Sequence, residues 1–193
     1  METLIRCVFV LAALVVSGVD AESTCYTGGA DSGELTFEGA VEGTGFTGRF
    51  GAFDVDYCMP PGEPAAGRIR VGVQLASADT DNDDRDQTLK GPEFFAVERH
   101  PRAEWSSASI AADDGGYRAD GDLTLKGITK PQAVQFTLEP DGDELVARGG
   151  FTLAGSADVD RQRFDVGTSE FADPEFVRNR VDVAFEVRLT SAD

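Results

Sequence analysis

His100 is the only histidine in the chain and so its one obvious acid–base group near neutral pH. It precedes Pro101 in a polar setting. A serine hydrolase would need it oriented by a carboxylate and aimed at a serine, and no Gly-x-Ser-x-Gly elbow supplies that serine. Arg85 and Asp86 are adjacent opposite charges that could form a catalytic or ligand-head pair. The structural reading is preferred: Asp86 caps the short turn that follows, and Arg85 pairs with a carboxylate or a backbone carbonyl. Asp79, Asp81 and Asp83 alternate as at the opening of a calcium loop, but position six is Asp84 instead of glycine and position twelve is Lys90 instead of glutamate. A solvated acidic loop is the expectation there, with no metal ligands. The sequence has no phosphate loop, dinucleotide fingerprint or zinc-ligand cluster. These residues point to a protein that is not an enzyme and needs no catalytic cofactor.

Two of the three cysteines, Cys25 and Cys58, form an even pair, and the compartment decides their chemistry. Residues 1–21 read as a secretion leader: Arg6 is the basic start, residues 7–16 are an unbroken apolar run, and Val19 and Ala21 fit the small-residue positions of a cleavage site before Glu22. The run is too short to span a membrane, and no comparable run follows, so stable membrane insertion is not expected. Export, to a periplasm or the outside medium, makes a Cys25–Cys58 disulfide the expected pairing, with stabilisation of about 3–4 kcal/mol from loop closure. A metal pair or a redox pair is the competing reading, and neither has a CxxC spacing or a nearby histidine to support it. The leader takes two acids and one base with it, so the net charge of −18 becomes −17. A field of that sign repels nucleic acid and anionic membranes.

The elements that must position these groups are strands. Residues 22–193 are one domain, rich in glycine and phenylalanine, with alternation recurring and helical periodicity almost absent. Strands are expected over 34–39, 43–57, 68–75, 104–111, 117–127, from Pro131 through Leu138, 145–153 and 176–189, with a hairpin turn at Asp141–Asp143 around Gly142. In the second strand Phe46 and Phe50 share one parity while Phe53, Val55 and Tyr57 share the other, which predicts a bulge or bend near Gly51. Trp105 and Ile110 also fall on opposite parities. Residues 85–105 interrupt the pattern: Asp86, Gly91 and Pro92 break any strand, residues 87–90 allow at most one helical turn, and Phe94 and Phe95 can both enter a core only where the chain is irregular. Eight or so antiparallel strands without a covering amphipathic helix must pack on a second sheet or close on themselves, and long strands bent at glycines favour closure.

Four pieces in order resemble the YceI-like family of secreted lipid-binding β-barrels. They are Gly45-Phe46-Thr47-Gly48-Arg49-Phe50 with Phe53, then Arg85-Asp86 with Leu89, then Phe94-Phe95 with Pro101 and Ala103, then Gly121-Asp122-Leu123-Thr124-Leu125-Lys126-Gly127-Ile128-Thr129-Lys130-Pro131. The last is the most specific. The resemblance implies an all-β fold, an extended eight-stranded antiparallel lipocalin-like barrel with a short helical turn at one end, whose lumen holds an isoprenoid or fatty chain, for instance an isoprenoid quinone. The chain departs from the family's pattern at Arg163-Phe164-Asp165-Val166-Gly167 and at Trp105, where phenylalanine is common.

Phe46, Phe50, Phe53, Phe94, Phe95, Trp105, Leu123, Leu125 and Phe136 are the residues assigned to the lumen wall. Alternation alone does not separate a filled barrel from a hollow one; the resemblance implies a hollow one. The partner expected is therefore a small amphiphilic lipid, and a homodimer is one assembly the sequence leaves open. A packed barrel acting through its acidic surface, as a structural or interaction module, is the alternative. An enzyme acting on bound lipid through His100 is the third reading.

Overall fold

The computed structural model describes residues 23–140 and 149–192; the expected leader, the expected turn at Asp141–Asp143 and the expected strand start at Leu145 lie outside the described residues. The described residues form β1 (Thr24–Gly29), β2 (Gly33–Val41), β3 (Thr44–Phe50), β4 (Phe53–Met59), β5 (Arg68–Gln74), β6 (Ala78–Asp79), α1 (Asp83–Lys90), β7 (Arg102–Asp113), β8 (Gly116–Leu125), β9 (Ile128–Glu139), β10 (Gly150–Asp160) and β11 (Arg180–Ser191). β1 and β2 are two halves of one bent strand, as are β3 and β4, because β1 pairs with β4 and β2 pairs with β3. β11 pairs with β2 along 182–187 and with β1 at Thr190 and Ser191, which closes an antiparallel barrel of eight strands.

The parity switches have physical sources. Gly51 and Ala52 form a two-residue bend whose amides donate to Ser77, so Phe50 and Phe53 both turn inward. In β7 the register to β8 shifts between Ser107 and Ser109, and the extra residue lets Trp105 and Ile110 both be buried. Lys126 (φ 51°) and Gly127 (φ 76°) make the two-residue β8–β9 turn with both central residues left-handed, the geometry whose twist matches the flanking strands.

Several expectations are corrected. The helix is eight residues long instead of one turn, because Asn82, not Asp86, is its cap: the Asn82 side chain accepts from the Arg85 amide at 2.9 Å. Asp86 instead accepts from the Thr80 amide and hydroxyl at 2.9 and 2.6 Å, tying α1 to β6. The acidic run is thus a short strand, a turn and a helix start in place of a loop. β9 begins at Ile128, three residues before Pro131; the ladder to β10 begins only at Gln135, so Pro131 sits where one side of the strand is not in a ladder. β10 continues to Asp160, β11 starts at Arg180, and Phe176 lies in the connection between them. β1 has no counterpart among the expected strands, since Thr-Cys-Tyr-Thr-Gly-Gly shows no apolar alternation.

The interior has two ends. At one, Tyr57, Met59, Phe151 and Leu189 are fully buried, with Tyr57 and Phe151 edge to face at 5.8 Å and the Tyr57 hydroxyl donating to Pro64 O at 2.8 Å. Cys25 and Cys58, directly opposed on β1 and β4, are joined there in the expected disulfide. At the other end Phe37, Leu75, Leu89, Phe94, Phe164 and Val166 gather beneath α1 and the 161–179 connection.

Candidate ligand-binding cavity

The fully buried residues Tyr57, Met59, Phe151 and Leu189 do not line the cavity of about 240 Å³ that occupies the rest of the barrel. Side chains that alternate inward from every part of the sheet form its wall. Phe46 and Phe50 come from β3, Phe53 from β4, Trp105 from β7, Leu123 and Leu125 from β8 and Phe136 from β9; Phe94 and Phe95 come from the irregular turn after α1. All nine residues singled out in the sequence therefore meet around one space. Inward-facing Val71, Val73, Leu123, Val134, Val183 and Phe185 remain only partly buried although they pack against the core. The area they leave uncovered fits a wall facing open space.

Local structure fixes the rings. Phe50 packs against Phe37 at 5.0 Å and Phe95 at 6.2 Å, and Phe94 packs against Phe171 at 5.0 Å. The Arg85 guanidinium lies 4.5 Å from the centre of the Phe46 ring while its Nε and Nη2 donate to Thr80 Oγ1 and O at 2.8 and 2.9 Å. Arg85 thus pairs with a carbonyl, as expected, and its second task is to hold a wall ring. The Trp105 indole N–H donates to Gln132 O at 3.0 Å, which satisfies the one polar atom of that side chain.

Sequence reasoning missed the strongest anchor. Arg161 is 3% exposed and lines the cavity, yet its five N–H donors are spent on main-chain carbonyls: Arg178 O at 3.2 Å, Val166 O at 2.7 Å, Gly167 O, Phe171 O at 2.6 Å and Val177 O at 2.8 Å. Burial pushes its pKa below the usual arginine value, offset in part by Asp160. Its fork binds the whole 161–179 connection into a cap over the barrel. Lys126 adds a clamp from the β8–β9 turn, donating to Glu93 O at 2.9 Å and Asp165 O at 2.6 Å, with its pKa lowered by burial. The Arg163-to-Gly167 departure noted in the sequence falls in this cap, where Phe164 is fully buried and Asp165 turns left-handed. Phe37, Leu89, Val159, Val181 and Val183 also line the cavity; the alternation of β11 was visible in the sequence, but its inward side was not.

Among the described residues, the polar side chains in the lining are Gln132, Arg161 and Arg178. His100 is not in the lining: its ring lies beneath the β8–β9 turn, where a Cβ added at Gly127 would come within 2.8 Å of it. With Arg85 and Asp86 tied to Thr80, the described residues bring no nucleophile, base and oxyanion donors together around the cavity. What it can do chemically is shelter apolar surface from water.

A UPF0312 protein of Pectobacterium atrosepticum is 33% identical over 111 residues, 56% of this chain and 58% of its own length, so the match spans little more than half of that relative. A UPF0312 protein of Yersinia pestis is 28% identical over 151 residues, covering 76% and 79% of the two chains. Among solved structures, Burkholderia cenocepacia BcnA superposes with a TM-score of 0.72 at 24% identity, over 81% of this chain and 95% of that one. A polyisoprenoid binding domain from Saccharophagus degradans, implicated in plant cell wall breakdown, gives 0.62 at 12% identity, over 86% and 98%. At these identities the superpositions speak for the fold. The profile of the YceI-like domain matches residues 26–189, from within β1 to within β11, and by that match the chain belongs to the YceI-like family.

Proposed function

We propose that this protein is an exported carrier or store of a slender amphiphilic lipid, a polyisoprenoid-like or fatty chain such as an isoprenoid quinone or its precursor, held inside the barrel. The observation that carries this reading is the cavity of about 240 Å³ whose described wall is apolar but for three side chains. That volume is just under the range of about 300–1,000 Å³ usual for small-molecule sites, which favours one flexible chain over a bulky fused-ring ligand. Each methylene transferred from water into such a space contributes about 0.8 kcal/mol, so affinity grows with chain length until the cavity is full. The family and the polyisoprenoid-binding domain of the same fold support the assignment. The leader-like pattern of residues 1–21 and the Cys25–Cys58 disulfide support a periplasmic or extracellular location.

The packed-module alternative requires rings that fill the interior along the whole barrel; rings meet at the Tyr57–Phe151 end and pair as Phe37–Phe50, Phe50–Phe95 and Phe94–Phe171 at the other, and the cavity of about 240 Å³ left among the wall residues favours the carrier reading. An enzymatic reading through His100 has no support from its position beneath the turn. Native mass spectrometry of the protein purified under mild conditions tests the carrier assignment: an extra mass matching a prenyl or fatty lipid is expected. A protein recovered repeatedly without lipid, and unable to take up isoprenoid quinones, overturns it.

A further inference from the structure

Gln132 is an inward-facing polar residue on a strand whose other inward residues are Val134, Phe136 and Leu138, and it is 8% exposed. Its amide nitrogen has a structural task. At this level β9 has not yet joined the β10 ladder, and Nε2 spans the gap by donating to Asp158 O at 3.0 Å and to Ala133 O at 2.9 Å. Both neighbours are acceptors, which fixes the nitrogen end of the amide and leaves the oxygen as the other end. That oxygen, Oε1, is buried and has no hydrogen-bond partner. A buried acceptor without a donor costs about 1–3 kcal/mol.

The other polar groups of the wall do not answer it. The Trp105 N–H is spent on the Gln132 main chain, and every Arg161 donor is spent on a carbonyl of the cap. Arg178 uses Nη2 on Glu38 O and on Asp182 and leaves Nε, a donor, buried and unpartnered. Asp182 stands opposite Asp158 in the β10–β11 ladder, so Gln132, from β9, and Arg178, from the 161–179 connection, tie to paired residues at one level of the barrel. Among the described lining residues, the buried side-chain atoms left without a partner are thus one acceptor, Gln132 Oε1, and one donor, Arg178 Nε, within an apolar wall.

We propose that Gln132 Oε1 accepts a hydrogen bond from the head of the bound lipid, so that the cavity selects a ligand carrying a hydroxyl, a prenyl alcohol, a phenol or a quinol, over one whose head offers only carbonyl or ether oxygens. This rests on the carrier reading above and narrows it. A hydroxyl donates to Oε1 and keeps lone pairs for a donor such as Arg178 Nε. A quinone or an aldehyde has no proton to give and leaves Oε1 unpaired, so for a quinone-type lipid the reduced form is the one held.

The test compares farnesol with farnesal, which match heavy atom for heavy atom and differ by the donor. Trp105, the only tryptophan, is in the wall and reports occupancy by its fluorescence. Farnesol is expected to bind about tenfold or more tightly than farnesal. Gln132→Met, of similar shape but without the acceptor, is expected to bring the two dissociation constants to within about twofold of each other. Loss of the Asp158 tie in that variant lowers stability, but a purely structural role for Gln132 leaves the ratio unchanged. Equal binding of the two ligands by the wild-type protein overturns the head-group inference while the carrier reading stands, as does a Gln132→Met protein that still discriminates. Binding of neither ligand, nor of any other prenyl chain, overturns both.

Discussion

Whether the barrel is hollow is decided by what a larger side chain does inside it. Val134 faces inward between Gln132 and Phe136, is only partly buried, and lines the cavity. Leu189 is also inward-facing but fully buried at the Tyr57–Phe151 end and does not line the cavity. Val134→Phe adds four carbons, which a space of about 240 Å³ accepts without displacing its neighbours. At about 0.8 kcal/mol per buried carbon the gross gain is about 3 kcal/mol, and the ring's lost rotamer freedom and imperfect fit reduce it to the 0.5–2 kcal/mol common for filled cavities, so about 1 kcal/mol of added stability is expected. Leu189→Phe, put into a packed region, is expected to cost about 1–3 kcal/mol. The two substitutions should therefore move the urea midpoint in opposite directions, read by circular dichroism with the slope unchanged. Val134→Phe should also weaken the Trp105 fluorescence response to farnesol. If Val134→Phe destabilises the protein as much as Leu189→Phe does, the interior is filled and the reasoning fails.

Reducing the Cys25–Cys58 bridge, or replacing both cysteines by alanine, should lower stability by about 3–4 kcal/mol, since it closes a separation of 33 residues; denaturant titration of the double variant measures this, and a loss below about 1 kcal/mol would contradict it. Arg161→Lys keeps the charge but cannot serve five carbonyls, so the cap over 161–179 should open, seen as faster amide exchange there and a loss of about 2 kcal/mol or more, with exchange in β4 and β5 much less affected. The hydrogen bond from Arg180 at 2.6 Å, aided by the nearby arginine charges, holds the Asp182 carboxyl below its usual range. A depressed folded pKa gives stability that is present above the unfolded value of about 4 and lost as pH falls through the folded value. Asp182→Asn should therefore be less stable than wild type by a few tenths of a kcal/mol from about pH 5 to 7, the pair being partly exposed, with the difference closing below about pH 4; a difference that persists at pH 2 would rule this out.

The barrel was legible because its signals are local. The alternation of Ile69, Val71, Val73 and Leu75 in β5, and of Val181 through Leu189 in β11, reads directly as half-buried strands, and the switch of parity at Gly51 marks a real bend. The missed features depend on partners distant in sequence. Asn82 outcompetes Asp86 as the cap because Thr80 claims the Asp86 carboxylate, and nothing within the run itself tells the two apart. Pro131 reads as a strand start until the register shows β9 running without β10 beside it. Arg161 and Arg163 are two residues apart, yet one is enclosed by the cap carbonyls and the other reaches Pro131 O from an exposed position, a difference set by how residues 161–179 fold back over the barrel.

The residue order by itself showed every strand but β1 and β6, favoured closure into a barrel and supplied the cysteine pair, because these follow from side-chain periodicity or from chemistry carried by one or two residues; the nine wall residues were assigned with the family resemblance. It left undecided whether those inward groups meet one another. That depends on the barrel's radius and on what covers its end, quantities set by long-range pairing of β11 with both β1 and β2 and by the carbonyl shell around Arg161. Only the tertiary structure could separate the filled Tyr57–Phe151 end from the open remainder and show that Gln132 spends its nitrogen on a strand gap and keeps its oxygen free. Packing is a property of distances between strands, and a period of two along each strand carries no information about them.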